Sequence, residues 1–237
     1  MNIKIVSVGS TRLDRFLKKW GISYLIDDDL LFDTFGNPDI FIQNLFSLNV
    51  DLSKIKHIII SHNHWDHISG LWQIIDKFKN INVYVCSNFE NDVKEKIKNY
   101  GANLIEVKGI LKIKDGVYTT GEIEGSYKDN VIFEQSLVIE TEKGLIVLTG
   151  CSHPGIINIL KKVKENFPDK NIFSVIGGFH LLNKKSSEIE YIADEFKKME
   201  IKKVGPTHCS GRLAEEIFKK HYGEDFIKIK SKQTIEI

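Results

Sequence analysis

The segment Ser61-His62-Asn63-His64-Trp65-Asp66-His67 puts four metal-binding side chains within six positions, directly after an apolar run at 57–60 and directly before a helical pattern. Imidazole nitrogens and a carboxylate are the donors that zinc and its first-row neighbours prefer. A strand end lets such side chains converge, so this chain is constrained to build a sheet with a loop at its carboxyl edge. The spacing also divides the donors. His62 and His64 can share one ion, while Asp66 and His67 turn towards a second roughly 4 Å away, the arrangement that two-metal hydrolysis uses. The competing reading is a polar surface loop with several histidines by chance; a strand, this spacing and a helix in succession argue against it.

Such a pair of ions needs further ligands, and three more histidines follow apolar runs. They are His153 in Gly150-Cys151-Ser152-His153-Pro154-Gly155, His180 in Gly177-Gly178-Phe179-His180, and His208 in Pro206-Thr207-His208-Cys209. Ligands of α/β sheets bind beyond the carboxyl ends of strands, which predicts that these histidines gather on the same edge as the first motif. His57 opens a strand and His221 ends an amphipathic helix, so both read as structural or solvent-facing.

Strand-length apolar runs are expected at 3–8, 23–26, 30–32, 57–60, 83–86 and 104–107, with helices over 38–48, 68–78 and 91–100 between them. From 116 to 149 the texture changes to short strands at 117–120, 135–140 and 145–148, joined by turn signals such as Glu142-Lys143-Gly144, which predicts antiparallel sheet. Helices at 156–166, 187–199 and 211–221 then alternate with strands at 172–176 and 203–206. No linker rich in Pro, Gly or Ser and no repeat interrupts this order. The expectation is a single domain over 1–237, of α/β class (α+β in some schemes), with αββα layering.

Composition excludes several alternatives. The 33 basic and 32 acidic residues leave a net charge of +1, so no overall field gathers nucleic acid or an anionic membrane, and no basic arm is present to carry a polymer. No apolar run approaches the roughly 18 residues of a membrane span, and residues 2–8 are too short and polar for a secretory core. Cys86, Cys151 and Cys209 are an odd number in a chain long enough for its own core, which argues against a disulfide framework. A cytoplasmic protein is expected.

Gly21-Ile22-Ser23-Tyr24-Leu25-Ile26, Leu31-Phe32-Asp33-Thr34, the histidine loop with Gly70-Leu71, Leu148-Thr149-Gly150-Cys151-Ser152-His153-Pro154-Gly155-Ile156, Ile176-Gly177-Gly178-Phe179-His180-Leu181 and Pro206-Thr207-His208-Cys209-Ser210-Gly211 together resemble the metallo-β-lactamase superfamily. More narrowly, they resemble the archaeal and bacterial branch that includes the dihydropterin-dependent synthase of methanopterin biosynthesis. The resemblance implies the four-layer αββα sandwich. It implies that Asp33 supports the ligand loop through hydrogen bonds, against the alternative of a plain turn aspartate. It gives Glu134 either a similar supporting part or that of a surface acid. The chain departs from the wider superfamily where many members carry a metal-bridging aspartate after a glycine: here Gly150 is followed by Cys151. Cys151 as a thiolate or His153 stands in its place, and His153 is preferred.

The ligand set is thus His62, His64, Asp66, His67, His153 and His208, holding two divalent ions, with zinc expected and manganese, iron, magnesium or a single ion as alternatives. Asp66 and His180 are the candidate catalytic groups. His180 can act as a general acid or phosphate donor, with a further metal ligand or a buried structural histidine as its other readings. The branch resemblance implies condensation of a dihydropterin methyl diphosphate with an aminobenzene ribofuranosyl phosphate. Hydrolysis of a small phosphoester and a non-catalytic metal-stabilised binding module are the alternatives. In each enzymatic reading the partner is a phosphorylated small molecule, not nucleic acid or a membrane.

Overall fold

The computed structural model describes residues 1–235 and divides into two compact units, 1–108 with 230–235 and 109–229. The first begins with β1 (Ile3–Gly9), α1 (Arg12–Phe16), β2 (Gly21–Ile26), β3 (Leu30–Phe32), α2 (Pro38–Ser47) and β4 (His57–Ile59). It continues through α3 (Trp65–Ile68), α4 (Leu71–Lys77), β5 (Asn82–Cys86), α5 (Asn91–Asn99) and β6 (Asn103–Val107). The second holds β7 (Leu111–Lys114), β8 (Val117–Thr119), β9 (Ile123–Tyr127), β10 (Asn130–Glu134), β11 (Leu137–Thr141), β12 (Gly144–Thr149), α6 (Ile156–Asn166), β13 (Ile172–Gly178), α7 (Ser186–Lys198), β14 (Lys203–Thr207) and α8 (Gly211–Tyr222). The chain then returns to the first unit as β15 (Gln233–Ile235).

Each unit is built on one large sheet. In the first the order is β15-β1-β2-β3-β4-β5-β6, antiparallel as far as β3 and parallel from β3 to β6. In the second it is β14-β13-β12-β11-β8-β7, with β12, β13 and β14 parallel and the rest antiparallel. The parallel strands read as continuous apolar runs because both of their faces are covered. In the second unit helices cover one of the faces: Ile159, Leu160 and Val163 of α6, Ile189, Ala193 and Phe196 of α7, and Ala214, Ile217 and Phe218 of α8 share one core with Val147, Val175 and Val204. Phe179, Phe196 and Phe218 form its aromatic centre, with ring centroids 5.2 to 5.6 Å apart.

The helix expected over 68–78 corresponds to α4, which starts later, at Leu71; a separate short helix, α3, precedes it and carries Asp66 and His67 where a loop was expected. The sequence reading did not anticipate α1, β7, β15 or the β9–β10 ribbon, which pairs only with itself among the described strands. No helix among the described residues is long and apolar enough to cross a membrane, and Cys86, Cys151 and Cys209 are free, buried thiols.

Candidate metal centre

In the first unit the candidate residues follow the carboxyl ends of β3 and β4. Asp33 closes β3 in a left-handed conformation (φ 58°) and is fully buried. Such a backbone is costly for a residue other than glycine, and here hydrogen bonds hold it: the Asp33 amide donates to Ile59 O at 2.9 Å. The Asp33 carboxylate then organises the loop. Its Oδ1 accepts the Ser61 amide at 2.7 Å, and its Oδ2 accepts the Ser61 hydroxyl at 2.8 Å and His67 Nδ1 at 2.6 Å.

These bonds set the tautomers. With its hydroxyl given to Asp33, Ser61 Oγ accepts from His62 Nδ1 at 2.9 Å, which leaves the lone pair on His62 Nε2. That nitrogen faces His64 Nδ1 at 2.9 Å. With the lone pair on His62 Nε2, the proton of this hydrogen bond is carried by His64 Nδ1, and a cation could take its place between the two nitrogens. His67, with Nδ1 bound to Asp33, turns Nε2 to Asp66 Oδ2 at 3.4 Å. Burial opposes a charged His67, yet the carboxylates of Asp33 and Asp66 outweigh it and hold its pKa well above the ordinary value. The two carboxylates thus favour positive charge beside the His67 ring. Gly21 (φ 125°) makes the packing feasible, because a Cβ there would lie 2.1 Å from the Asp66 carbonyl oxygen.

In the second unit the candidates follow β12, β13 and β14. The parallel register sets Thr149 beside Gly177 and Gly178 beside Thr207, which brings three strand ends to one edge. Beyond it lie Cys151 and His153, then His180, then His208. Ser152, His180 and His208 all adopt left-handed backbone (φ 66°, 56° and 51°), a concentration of strain at one edge. Cys151 Sγ is 3.4 Å from His208 Nε2, and the ligand atoms of Cys151, His153 and His180 lie within 4.8 Å of one another. Nδ1 of His180 is buried without a hydrogen-bond partner among the described residues. A nitrogen, nitrogen and sulfur donor set with an orphaned ring nitrogen fits a borderline divalent ion.

Sequence reasoning left Glu134 open and did not single out Cys209 or Tyr127. Glu134 is 1% exposed. Its Oε1 accepts the amides of Cys151 and Ser152 at 2.9 and 2.7 Å, and its Oε2 accepts that of His153 at 2.7 Å. Cys209 donates its thiol to the Cys151 carbonyl at 3.4 Å. The hydrogen bond to Cys209 raises the pKa of His180 against the effect of burial. Burial alone would push the Cys209 thiol up, but Cys151 and the rings of His208 and His180 draw it well below the usual thiol value. Tyr127 sets its ring edge-on to His153 and His180, with centroids 5.2 and 6.2 Å away. The two histidines read as ordinary have partners of their own: His57 Nδ1 meets Tyr84 Oη at 3.0 Å, and His221 pairs with Glu190.

Two large sheets with helices, and candidate metal donors at the ends of their parallel strands, define a class. A family model of the metallo-beta-lactamase superfamily matches residues 22–151, and the chain belongs to that superfamily. It is a metal-dependent enzyme of the metallo-β-lactamase fold, as its sequence led one to expect. Over 93% of its length it is 31% identical to the 7,8-dihydropterin-6-methyl-4-(β-D-ribofuranosyl)-aminobenzene-5'-phosphate synthase of Methanocaldococcus jannaschii, covering 90% of that relative. It is also similar to the crystal structure of Tm1679, a metal-dependent hydrolase of the beta-lactamase superfamily. There the TM-score is 0.81 at 29% identity, over 100% of this chain and 99% of that one. The metallo-beta-lactamase fold protein YhfI of Bacillus subtilis shares the fold alone, with a TM-score of 0.70 at 15% identity over 99% of each chain. The matched region contains Asp33 and the histidine loop and stops at Cys151, short of His153, His180 and His208.

Proposed function

We propose that the chain holds two divalent ions, zinc in the first instance, and that it condenses a dihydropterin methyl diphosphate with an aminobenzene ribofuranosyl phosphate. His62 and His64 serve one ion and Asp66 and His67 the other, with His153 and His208 completing the set. The similarity over nearly the whole chain to the methanocaldococcal synthase carries the choice of reaction. The donor chemistry carries the choice of ion: histidine nitrogens and a carboxylate, oriented by Asp33 on one side and Glu134 on the other.

In this reaction the aryl amine nitrogen attacks the methylene carbon of the pterin. A C–N bond forms, the C–O bond to diphosphate breaks with its electron pair leaving on the diphosphate, and the nitrogen gives up one proton. Divalent ions at the centre supply the positive charge that a departing diphosphate needs. Asp33 keeps Nδ1 of His67 occupied so that Nε2 stays available, and through Ser61 it does the same for His62. We assign His180 to the departing oxygen as a hydrogen-bond donor and not to the ions, its Nδ1 having no hydrogen-bond partner among the described residues.

A second reading, hydrolysis of a small phosphoester, is favoured by the similarity to Tm1679. One experiment separates the two. Zinc-loaded protein is given the pterin diphosphate with and without the aryl amine, and products are identified by mass spectrometry. Diphosphate release that depends on the amine, together with the joined product, supports the synthase. Release without the amine, or turnover of phosphodiesters in its place, supports the hydrolase and overturns the synthase.

A further inference from the structure

The β9–β10 ribbon is joined by the two-residue turn Lys128-Asp129, both residues left-handed (φ 49° and 64°), with Tyr127 opposite Asn130. Burial alternates along β9: Ile123, Gly125 and Tyr127 are partly covered, while Glu124 and Ser126 are exposed. The partly covered face lies along the loop that carries His153. At the base Glu134 holds the amide of His153 at 2.7 Å. Midway Gly125 rests on the His153–Pro154 peptide, where a Cβ would come within 2.6 Å of the His153 carbonyl carbon and the Pro154 nitrogen. At the tip Tyr127 stands over His153 and His180, and Lys128 Nζ lies 5.2 Å from the centroid of the Tyr127 ring.

A ribbon so fixed along its length carries a half-exposed phenol and an exposed ammonium to the edge of the candidate centre. We infer that the tip of this ribbon binds the diphosphate group of the substrate, through the hydroxyl of Tyr127 and the ammonium of Lys128. The inference rests on the proposed reading of the centre as one that handles a diphosphate ester. Both groups are donors and neither needs to lose a proton, which suits an anion whose charge grows as the C–O bond breaks. The two groups act on the leaving group alone and make no demand on the amine.

The test uses inorganic diphosphate as the probe, titrated calorimetrically into zinc-loaded protein. Tyr127→Phe, which keeps the ring, and Lys128→Ala are each expected to weaken binding by about tenfold, the loss expected for one hydrogen bond or ion pair to a charged group. Zinc content should stay unchanged. Val131→Ala, on the ribbon and 64% exposed, should bind as the parent does. Equal binding by all of the proteins, or no binding by the parent, overturns the inference. Two outcomes keep it apart from the reading it rests on. Diphosphate binding through Tyr127 and Lys128 without condensation sinks the synthase alone. Condensation that neither substitution alters sinks the ribbon alone.

Discussion

Two buried carboxylates, Asp33 and Glu134, stand behind the candidate ligands without being counted among them. Asp33 grips a histidine ring and Glu134 grips three consecutive backbone amides, so their removal should read out differently. Asp33→Asn should lower metal affinity by about 10–100-fold, measured by competition with a chromophoric chelator, because His67 loses its fixed tautomer. Glu134→Gln keeps an oxygen for two of the amides but sets an NH2 group against the third. A loss of about 1–3 kcal/mol in urea unfolding is expected. The choice between His153 and Cys151 is likewise a matter for single residues: metal analysis should show His153→Ala falling short of two ions per chain while Cys151→Ser retains them. The reverse result would move the ligand to the thiol.

Among the elements, the three parallel strands β12, β13 and β14 do most to assemble the second unit's donors, and their apolar sequences made them readable. The histidine loop was equally legible, since its donors are contiguous and a strand and a helix bracket them. What could not be read was whatever depends on contacts distant in sequence. Glu134 looked as much like a surface acid as a buried one, because the amides that neutralise it come 17 to 19 positions later. The ribbon escaped notice because Lys128-Asp129 lacks the glycine or asparagine that normally marks a left-handed two-residue turn. At the break between α3 and α4, a Cβ on Gly70 would lie 2.3 Å from the Thr34 carbonyl oxygen and 2.4 Å from the Phe41 ring, a close approach that involves residues distant in sequence. The packing of α7 and α8 is testable at Phe196: Phe196→Ala should cost about 3–5 kcal/mol of stability, seen as a lower denaturant midpoint with little change in slope.

For the molecule as a whole, near-neutral net charge conceals a concentration of buried acids and imidazoles at the ends of the parallel strands. Ions held there should stabilise the folded chain. Metal present at a hundred times its Kd should add about 2.7 kcal/mol, so that stripping the protein with a chelator lowers its thermal midpoint, and restoring zinc recovers it. An unchanged midpoint would mean that the ions bind weakly or elsewhere. The path of the backbone also bears on how the protein comes to exist. β15 pairs with β1, and the Val8 amide donates to Ser231 Oγ across 223 positions of sequence. A nascent chain leaving the ribosome therefore holds every residue of 109–229 before the edge of its opening sheet can be closed. The later-made half can settle first, while the earlier one waits, its β1 margin open to wrong partners, for a strand still to be synthesised.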